Sequence, residues 1–136
     1  MSGESVTIVG AGPAGALLAI LLARQGVAPS VYERRADPTR GLAPAGRSIN
    51  LALAERGLNA LRRAGLEQAI QPLLIPMRGR IIHDIDGTTT ILPYGQRPSE
   101  VIYSISRAAL NELLIDAAAN HYGVPIHFEH SCVGVD

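Results

Sequence analysis

Lysine is absent from this chain, cysteine is almost absent, and net charge is zero. Cys132 stands alone among 136 residues, so no disulfide framework can form within the chain and a reducing, cytoplasmic compartment is expected. All 12 basic residues are arginine and 12 acidic residues balance them. That balance offers nothing to attract nucleic acid or an acidic membrane. Arginine suits bidentate grips on phosphate and carboxylate, although a compositional bias of the source genome accounts for its exclusive use more simply. A membrane segment is also missing. The uncharged stretch 5–23 follows Glu4 rather than a basic cluster, and Gly10, Gly12, Pro13 and Gly15 break it. No His–Asp set accompanies Ser104 or Ser106, which removes support for a hydrolase. His127-Phe128-Glu129-His130-Ser131-Cys132 has metal-ligand residue types. Read as a strand, it turns His127 and Glu129 one way and His130 and Cys132 the other, so no metal site is expected. The H-x-E triplet of a zinc deaminase lacks its P-C-x-x-C partner.

What remains is ample for a folded domain. Apolar residues make up 47% of the chain and charged residues only 18%, the reverse of a disordered composition. Ser5–Gly10 is a short β-branched run ending at glycine, the pattern of a buried strand. Pro13 to Gly26 is a small, apolar helix pattern with proline at its first position and glycine where a C-cap belongs. Ser30–Glu33 completes a strand–turn–helix–strand unit, which favours a parallel sheet with a right-handed crossover. Residues 36–50 carry Pro, Gly and Arg without period and read as a long loop. Leu53 to Ala64 and Leu66 to Ile70 read as helices parted by Gly65. Arg80–Ile85 and Thr88–Leu92 flank Asp86-Gly87, a type I′ hairpin signal. Val101–Ile105 is a further strand, and Arg107 to His121 an amphipathic helix with Leu110, Leu113, Leu114, Ala117 and Ala118 on one stripe. Val124–His130 and Cys132–Val135 read as final short strands. The expected fold is α/β, a Rossmann-like domain with a mainly parallel sheet. Its parts are a βαβ dinucleotide unit at 1–35, an insertion with a loop and β-hairpin at 36–100, and a strand–helix–strand return at 101–136. The last run stops without a closing helix, so the fold is expected to be incomplete at its C-terminus.

Gly10-Ala11-Gly12-Pro13-Ala14-Gly15 fits G-x-G-x-x-G. In that pattern the glycines serve a tight turn, backbone approach to a pyrophosphate, and close helix–strand packing, while the helix start offers free N–H groups to the anion. Alone the pattern is weak. Here it follows a strand, opens a helix, and is answered by Glu33, 18 positions after Gly15, near the spacing of roughly 20 that places an acid on the ribose. A carboxylate there suits free hydroxyls and repels a 2′-phosphate, so FAD or NAD is expected rather than NADP. The long insertion at 36–100 suits a flavoprotein, in which extra segments reach over the ring system.

Four further segments carry a resemblance: Gly46-Arg47-Ser48-Ile49-Asn50-Leu51-Ala52-Leu53, Ile75-Pro76-Met77-Arg78-Gly79-Arg80, Leu92-Pro93-Tyr94-Gly95 and Ser104-Ile105-Ser106-Arg107. In this order they resemble the kynurenine 3-monooxygenase family of FAD-dependent aromatic hydroxylases, from about Val6 to the end of the chain. The resemblance implies an FAD cofactor, NADPH as co-substrate, dioxygen, and a small aromatic amino acid, L-kynurenine, hydroxylated at ring position 3. It implies that Ala14, Tyr32, Glu33, Arg34 and Arg35, beside Gly10, Gly12 and Gly15, line the ADP half of FAD. It further implies that Ala52 approaches the cofactor through its backbone, that Arg107 contacts FAD, and that Cys132 makes a backbone contact near the adenosine, although the side-chain type differs there. Arg80 would grip the substrate carboxylate and Tyr94 would hydrogen-bond the same end. No catalytic side chain is carried over. Members of that family are far longer, so the chain is expected to be a fragment that is inactive alone. Another aromatic-ring hydroxylase, a non-catalytic FAD- or nucleotide-binding module, and an NAD-dependent dehydrogenase stay open as alternatives; the oligomeric state is open too.

Overall fold

A computed structural model describes residues 5–41 and 49–135. The Gly46-Arg47-Ser48 start of the family-like segment, and most of the second half of the 36–50 loop, lie outside the described residues.

Strand β1 (Ser5–Val9), helix α1 (Pro13–Arg24) and strand β2 (Ala28–Tyr32) form the expected crossover. The strands pair in parallel from Ser5↔Ala28 to Val9↔Tyr32. Ala16, Ala19 and Ile20 of α1 are fully buried against Ile8 and Val31; small residues on that stripe let the helix lie close to the sheet. Gly26, at φ 80°, ends the helix, as a C-cap glycine should. The strand begins two residues earlier than its apolar pattern suggests, at Ala28, and includes Pro29. Val31 and Glu33 donate their N–H groups towards β8 (Ile126–His127), to Pro125 O and His127 O. Pro29 shares that side but precedes the pairing with β8, which starts at Val31, so its missing N–H costs no ladder bond.

The insertion departs from the sequence reading. Leu53 does not start a helix: β3 (Asn50–Leu53) is a strand, paired antiparallel with β7 (Ile102–Ser106), and α2 begins at Glu55 and runs to Arg63. The run suits either element by local preference, and pairing with β7 decides it. β4 (Ile75–Met77), which its proline disguises, joins the other edge of β7. Between them lie α2 and the short α3 (Glu67–Ile70), parted at Gly65 with φ 75°. Residues Leu51, Leu53 and Ile105 turn towards the core, while Asn50, Ala52 and Ile75 face outward.

Strands β5 (Gly79–His83) and β6 (Thr89–Pro93) form the expected hairpin, but its turn is not type I′. That type needs positive φ at both central residues, and among the described non-glycine residues only Glu129 has positive φ. Gly87 instead donates to Asp84 O at 3.0 Å and Asp84 to Thr88 O at 2.9 Å. Ile85-Asp86-Gly87 is thus a three-residue loop with only Gly87, at φ 87°, left-handed. Asp86 Oδ1 accepts the Thr88 N–H at 2.9 Å, and this bond holds the Asp86 carboxyl below its ordinary 3.8. A depressed carboxyl stabilises the turn above that value and loses the contribution as pH falls through the folded one. Acidifying from about pH 5 to about pH 2 should therefore lower the protection of the Thr88 amide, its hydrogen-exchange rate taken relative to the intrinsic rate at each pH, and an unchanged protection factor would show the bond to be unimportant.

Ser106 caps α4 (Arg107–Asp116) by accepting from Ala109 N–H. The chain then continues through a π-helical turn, Ala117–His121, so the expected single helix is two segments. Leu110, Leu114, Ile115, Ala117 and Ala118 are buried, and α4 packs on α1. The return strand is shorter than expected: only Ile126–His127 pairs. Cys132–Val135 is not a strand, since Val133 and Val135 are 99% and 88% exposed and have no described neighbour to pair with. The architecture is therefore a parallel sheet in the order β1-β2-β8, an antiparallel sheet β3-β7-β4, and the separate hairpin.

Candidate functional site

The three glycines of the first turn do three separate jobs. Gly10, at φ 100°, donates its N–H to Tyr32 O at 2.8 Å and ties the turn to the end of β2. Gly15 is wedged into the fold: a Cβ there would collide with Gly10 O and press on Ile8. Gly12 faces open space, with no atom within 4 Å of where a Cβ would stand. It is also the N-cap of α1 and supplies no side-chain acceptor, and Pro13 follows it. The amides of Ala14 and Gly15 are thus left to an incoming anion.

Glu33 faces this turn. Its Oε2 accepts the N–H of buried Ala11 at 2.7 Å, and its Oε1 accepts the N–H of Arg35 at 2.9 Å. Each oxygen keeps a free acceptor position for a ribose hydroxyl. The backbone of Glu33 is fixed as well: its N–H donates to His127 O at 2.8 Å, and its carbonyl accepts from His130 N–H at 2.9 Å. The acid therefore sits where the turn after β1, the end of β2 and the turn after β8 meet.

A cleft of about 320 Å³ opens beside it, walled by Gly10, Tyr32, Glu33 and Arg34 together with His130, Ser131 and Cys132. Tyr32 stacks on His127 at 4.6 Å between ring centroids. Cys132 is exposed, with its thiol against Gly134 O. Arg35 is exposed and joins through its backbone. His130 and Ser131 are cleft residues that no motif in the sequence signals. The segment is a turn and coil, so the alternation that separated its metal-ligand types does not apply. Among the described residues no three His, Cys, Asp or Glu side chains gather as a metal site.

The remaining expected residues lie elsewhere. Ala52 is exposed on β3 opposite Ser104. Arg107 opens α4, and its N–H donates to Ile49 O at 2.9 Å, so it stands just beyond the Asn50–Ser106 end of the same strand pair, two rungs from Ala52. Arg80 pairs with Leu92 across the hairpin, and Tyr94 N–H donates to Arg78 O at 3.0 Å. Cross-strand partners share a face, which puts Arg78, Arg80 and Tyr94 side by side. Arg78 is committed to Pro98 O at 3.1 Å, whereas Arg80 is exposed. Tyr94 also borders a larger cleft, about 520 Å³, between α2–α3 and residues 94–103. Arg62 crosses that cleft wall as a clasp, gripping Glu55 at 2.7 and 3.1 Å and Glu67 at 3.0 Å. The Glu55 carboxyl is held below its usual range by that bond, and the Arg62 guanidinium is raised in return. The clasp joins exposed side chains of α2 and α3 and serves structure. The larger cleft does not touch the glycine turn; chemistry and not size marks the site.

Residues 4–136 match the FAD binding domain family. The chain belongs to that family. Among curated proteins it is 53% identical over 128 residues to the kynurenine 3-monooxygenase of Xanthomonas euvesicatoria pv. vesicatoria (strain 85-10), covering 94% of this chain and 28% of that protein. It is 49% identical over 133 residues to the kynurenine 3-monooxygenase of Stenotrophomonas maltophilia (strain K279a), covering 98% and 29%. The chain thus spans less than a third of the length of these relatives. Among solved structures, 2-methyl-3-hydroxypyridine-5-carboxylic acid oxygenase in its tetrameric form superposes with TM-score 0.81 at 18% identity, over 100% of this chain and 34% of that one. p-Nitrophenol 4-monooxygenase PnpA from Pseudomonas putida DLL-E4 gives 0.75 at 19%, over 98% and 34%. These two speak for the fold. FAD is the cofactor of this FAD-binding domain, and the residues present fit it: free amides at Ala14 and Gly15, open space at Gly12, and a carboxylate set for a ribose.

Proposed function

We propose that this chain is the dinucleotide-binding part of a cytoplasmic FAD-dependent monooxygenase that hydroxylates L-kynurenine at ring position 3, with NADPH and dioxygen as co-substrates. The observation that carries the flavin reading is Glu33, whose carboxylate is fastened to the amide of Ala11 inside the glycine turn. The substrate reading rests on relatives named kynurenine 3-monooxygenase that are about half identical across nearly the whole chain, including the segments holding Arg80 and Tyr94.

In this reading the amides of Ala14 and Gly15 hold the pyrophosphate, and Glu33 takes the ribose hydroxyls. Tyr32, Arg34, Arg35 and the backbone at Cys132 surround the adenosine. Ala52, through its backbone, and Arg107 stand at the flavin end. When bound, FAD supplies hydride acceptance from NADPH and activation of dioxygen. Arg80 and Tyr94, diagonal neighbours on one hairpin face, orient the amino-acid end of the substrate: the guanidinium fork pairs with the carboxylate and the phenol adds a hydrogen bond. The 136-residue chain alone binds nucleotide without turnover.

The test uses the full polypeptide that carries this chain. It should purify yellow with bound FAD and oxidise NADPH faster when kynurenine is present, releasing the 3-hydroxylated product. Stimulation by other ring acids but not by kynurenine would reassign the substrate within the aromatic hydroxylases. In Arg80→Met, loss of a charge-assisted bond worth about 1.5–3 kcal/mol should raise the kynurenine KM roughly 10- to 100-fold at unchanged FAD content. Loss of the flavin as well would mean that Arg80 does not serve the substrate.

A further inference from the structure

We propose that His130 is a further cofactor-binding residue, whose Nε2 accepts a hydrogen bond from the adenosine half of the dinucleotide. The inference rests on the FAD reading and extends it to a residue that neither the glycine turn nor the family-like segments include.

Three observations place the imidazole. The first is the backbone. His130 N–H donates to Glu33 O at 2.9 Å, and Glu129 N–H donates to Arg35 O at 3.1 Å, so the turn after β8 is stitched to the segment that bears the ribose-binding acid. Glu129 is held at φ 59° to make that turn. A glutamate gains nothing from the left-handed region, and strain of this kind persists where the surroundings over-determine it, often beside functional sites. The second is the ring's tautomer. Nδ1 lies 2.6 Å from Phe128 O. A carbonyl only accepts, so Nδ1 carries the hydrogen, and in the neutral ring Nε2 presents a lone pair. The third is place. The ring stands edge-on to Tyr32, at 6.1 Å between centroids, and 5.9 Å from His127. His130 itself walls the cleft that also holds Glu33.

Two residues that carry acceptors therefore wall one cleft: Glu33 with its carboxylate and His130 with its imidazole. That pair of acceptors suits a ligand edge that carries donors, while Arg34 on the same wall offers donors of its own. The adenosine half of FAD has such donors in the exocyclic amine of adenine and the ribose 2′-hydroxyl.

The experiment measures FAD and ADP binding to the wild-type chain, His130→Phe and His130→Gln by calorimetry, with ligand-free thermal unfolding alongside. Phenylalanine keeps the flat ring and removes the acceptor; glutamine places an amide oxygen near the Nε2 position. His130→Phe should lose about 3- to 10-fold in affinity for both ligands, the equivalent of one hydrogen bond. His130→Gln should stay within about 2-fold of wild type, and the ligand-free midpoints should agree. Inosine diphosphate, which lacks the amine, and 2′-deoxy-ADP identify the donor: the effect of His130→Phe should vanish with one of them. Wild-type affinity in His130→Phe, equal losses in both variants, or a loss that persists with both analogues would overturn the inference while leaving the FAD reading in place. A wild-type chain that binds neither FAD nor ADP would instead overturn the FAD reading and this inference with it.

Discussion

Gly15→Ala is expected to destabilise the fold by about 2–4 kcal/mol, in the range of severe overpacking, and to abolish FAD binding. The added methyl would collide with Gly10 O, with Gly10 C at 3.1 Å and the Ile8 side chain at 3.4 Å behind it. None of these gives way cheaply. Gly10 is tied to Tyr32 O and Ile8 lies in the sheet. Helix α1 cannot back off either, because Ala16, Ala19 and Ile20 are fully buried between that sheet and α4. Gly12→Ala separates the two consequences. Its backbone, at φ −68° and ψ 177°, accommodates any residue, and a Cβ would meet nothing. Stability should be nearly unchanged, while the methyl occupies the space through which a pyrophosphate approaches the turn, so FAD affinity should fall about 10-fold or more. Urea unfolding and flavin fluorescence titration on both variants check the pair. A Gly15→Ala chain of wild-type stability would show that close helix–strand contact does not fix this turn.

The contrast between Gly12 and Gly15 shows what a sequence discloses and what it hides. Their spacing was legible because strand, turn and helix are contiguous, and each local preference points the same way: β-branched residues before Gly10, proline at the first position of α1, glycine at its end. The cap at Ser106 and the apolar stripe of α4 were legible for the same reason. The errors fall where a partner remote in sequence decides. Asn50–Leu53 becomes a strand only because Ser106–Tyr103 runs beside it. Ile75–Met77 does so despite its proline, on the other edge of the same strand. The Asp86-Gly87 pair signalled a hairpin correctly, yet the loop type depends on where the strands register, and Asp84 pairs with Thr88 one step further out. The site divides in the same way. Glu33 was found by its spacing from Gly15, but the wall opposite, at 130–132, is nearly a hundred residues away. Only the parallel return of β8 beside β2 brings it there, and no periodicity announces it. The contact between Ala11 N–H and the Glu33 carboxylate was also invisible, since Ala11 looks like a spacer between two glycines.

That contact sets the result expected for Glu33→Ala. Two functions are lost together. The ligand-free chain leaves the amide of Ala11, a residue only 1% exposed, without its acceptor, which costs about 1–3 kcal/mol of stability. The bound state loses the carboxylate that takes the ribose hydroxyls. Because each oxygen of Glu33 already accepts one backbone N–H, ribose binding adds bonds to an acceptor held in position and spends little on ordering it. The expected loss in FAD affinity is accordingly large, about 10- to 100-fold for one to two charge-assisted bonds. FMN, which lacks the adenosine, should bind the variant as it binds wild type. Glu33→Gln isolates the charge. An amide retains one acceptor oxygen and removes the repulsion that a 2′-phosphate meets, so the preference for ADP over adenosine 2′,5′-bisphosphate should narrow by about 10-fold or more. If FAD and FMN weaken alike in Glu33→Ala, the residue acts through the shape of the turn and not through a ribose. If the bisphosphate stays rejected in Glu33→Gln, something other than this carboxylate closes the cleft to a 2′-phosphate.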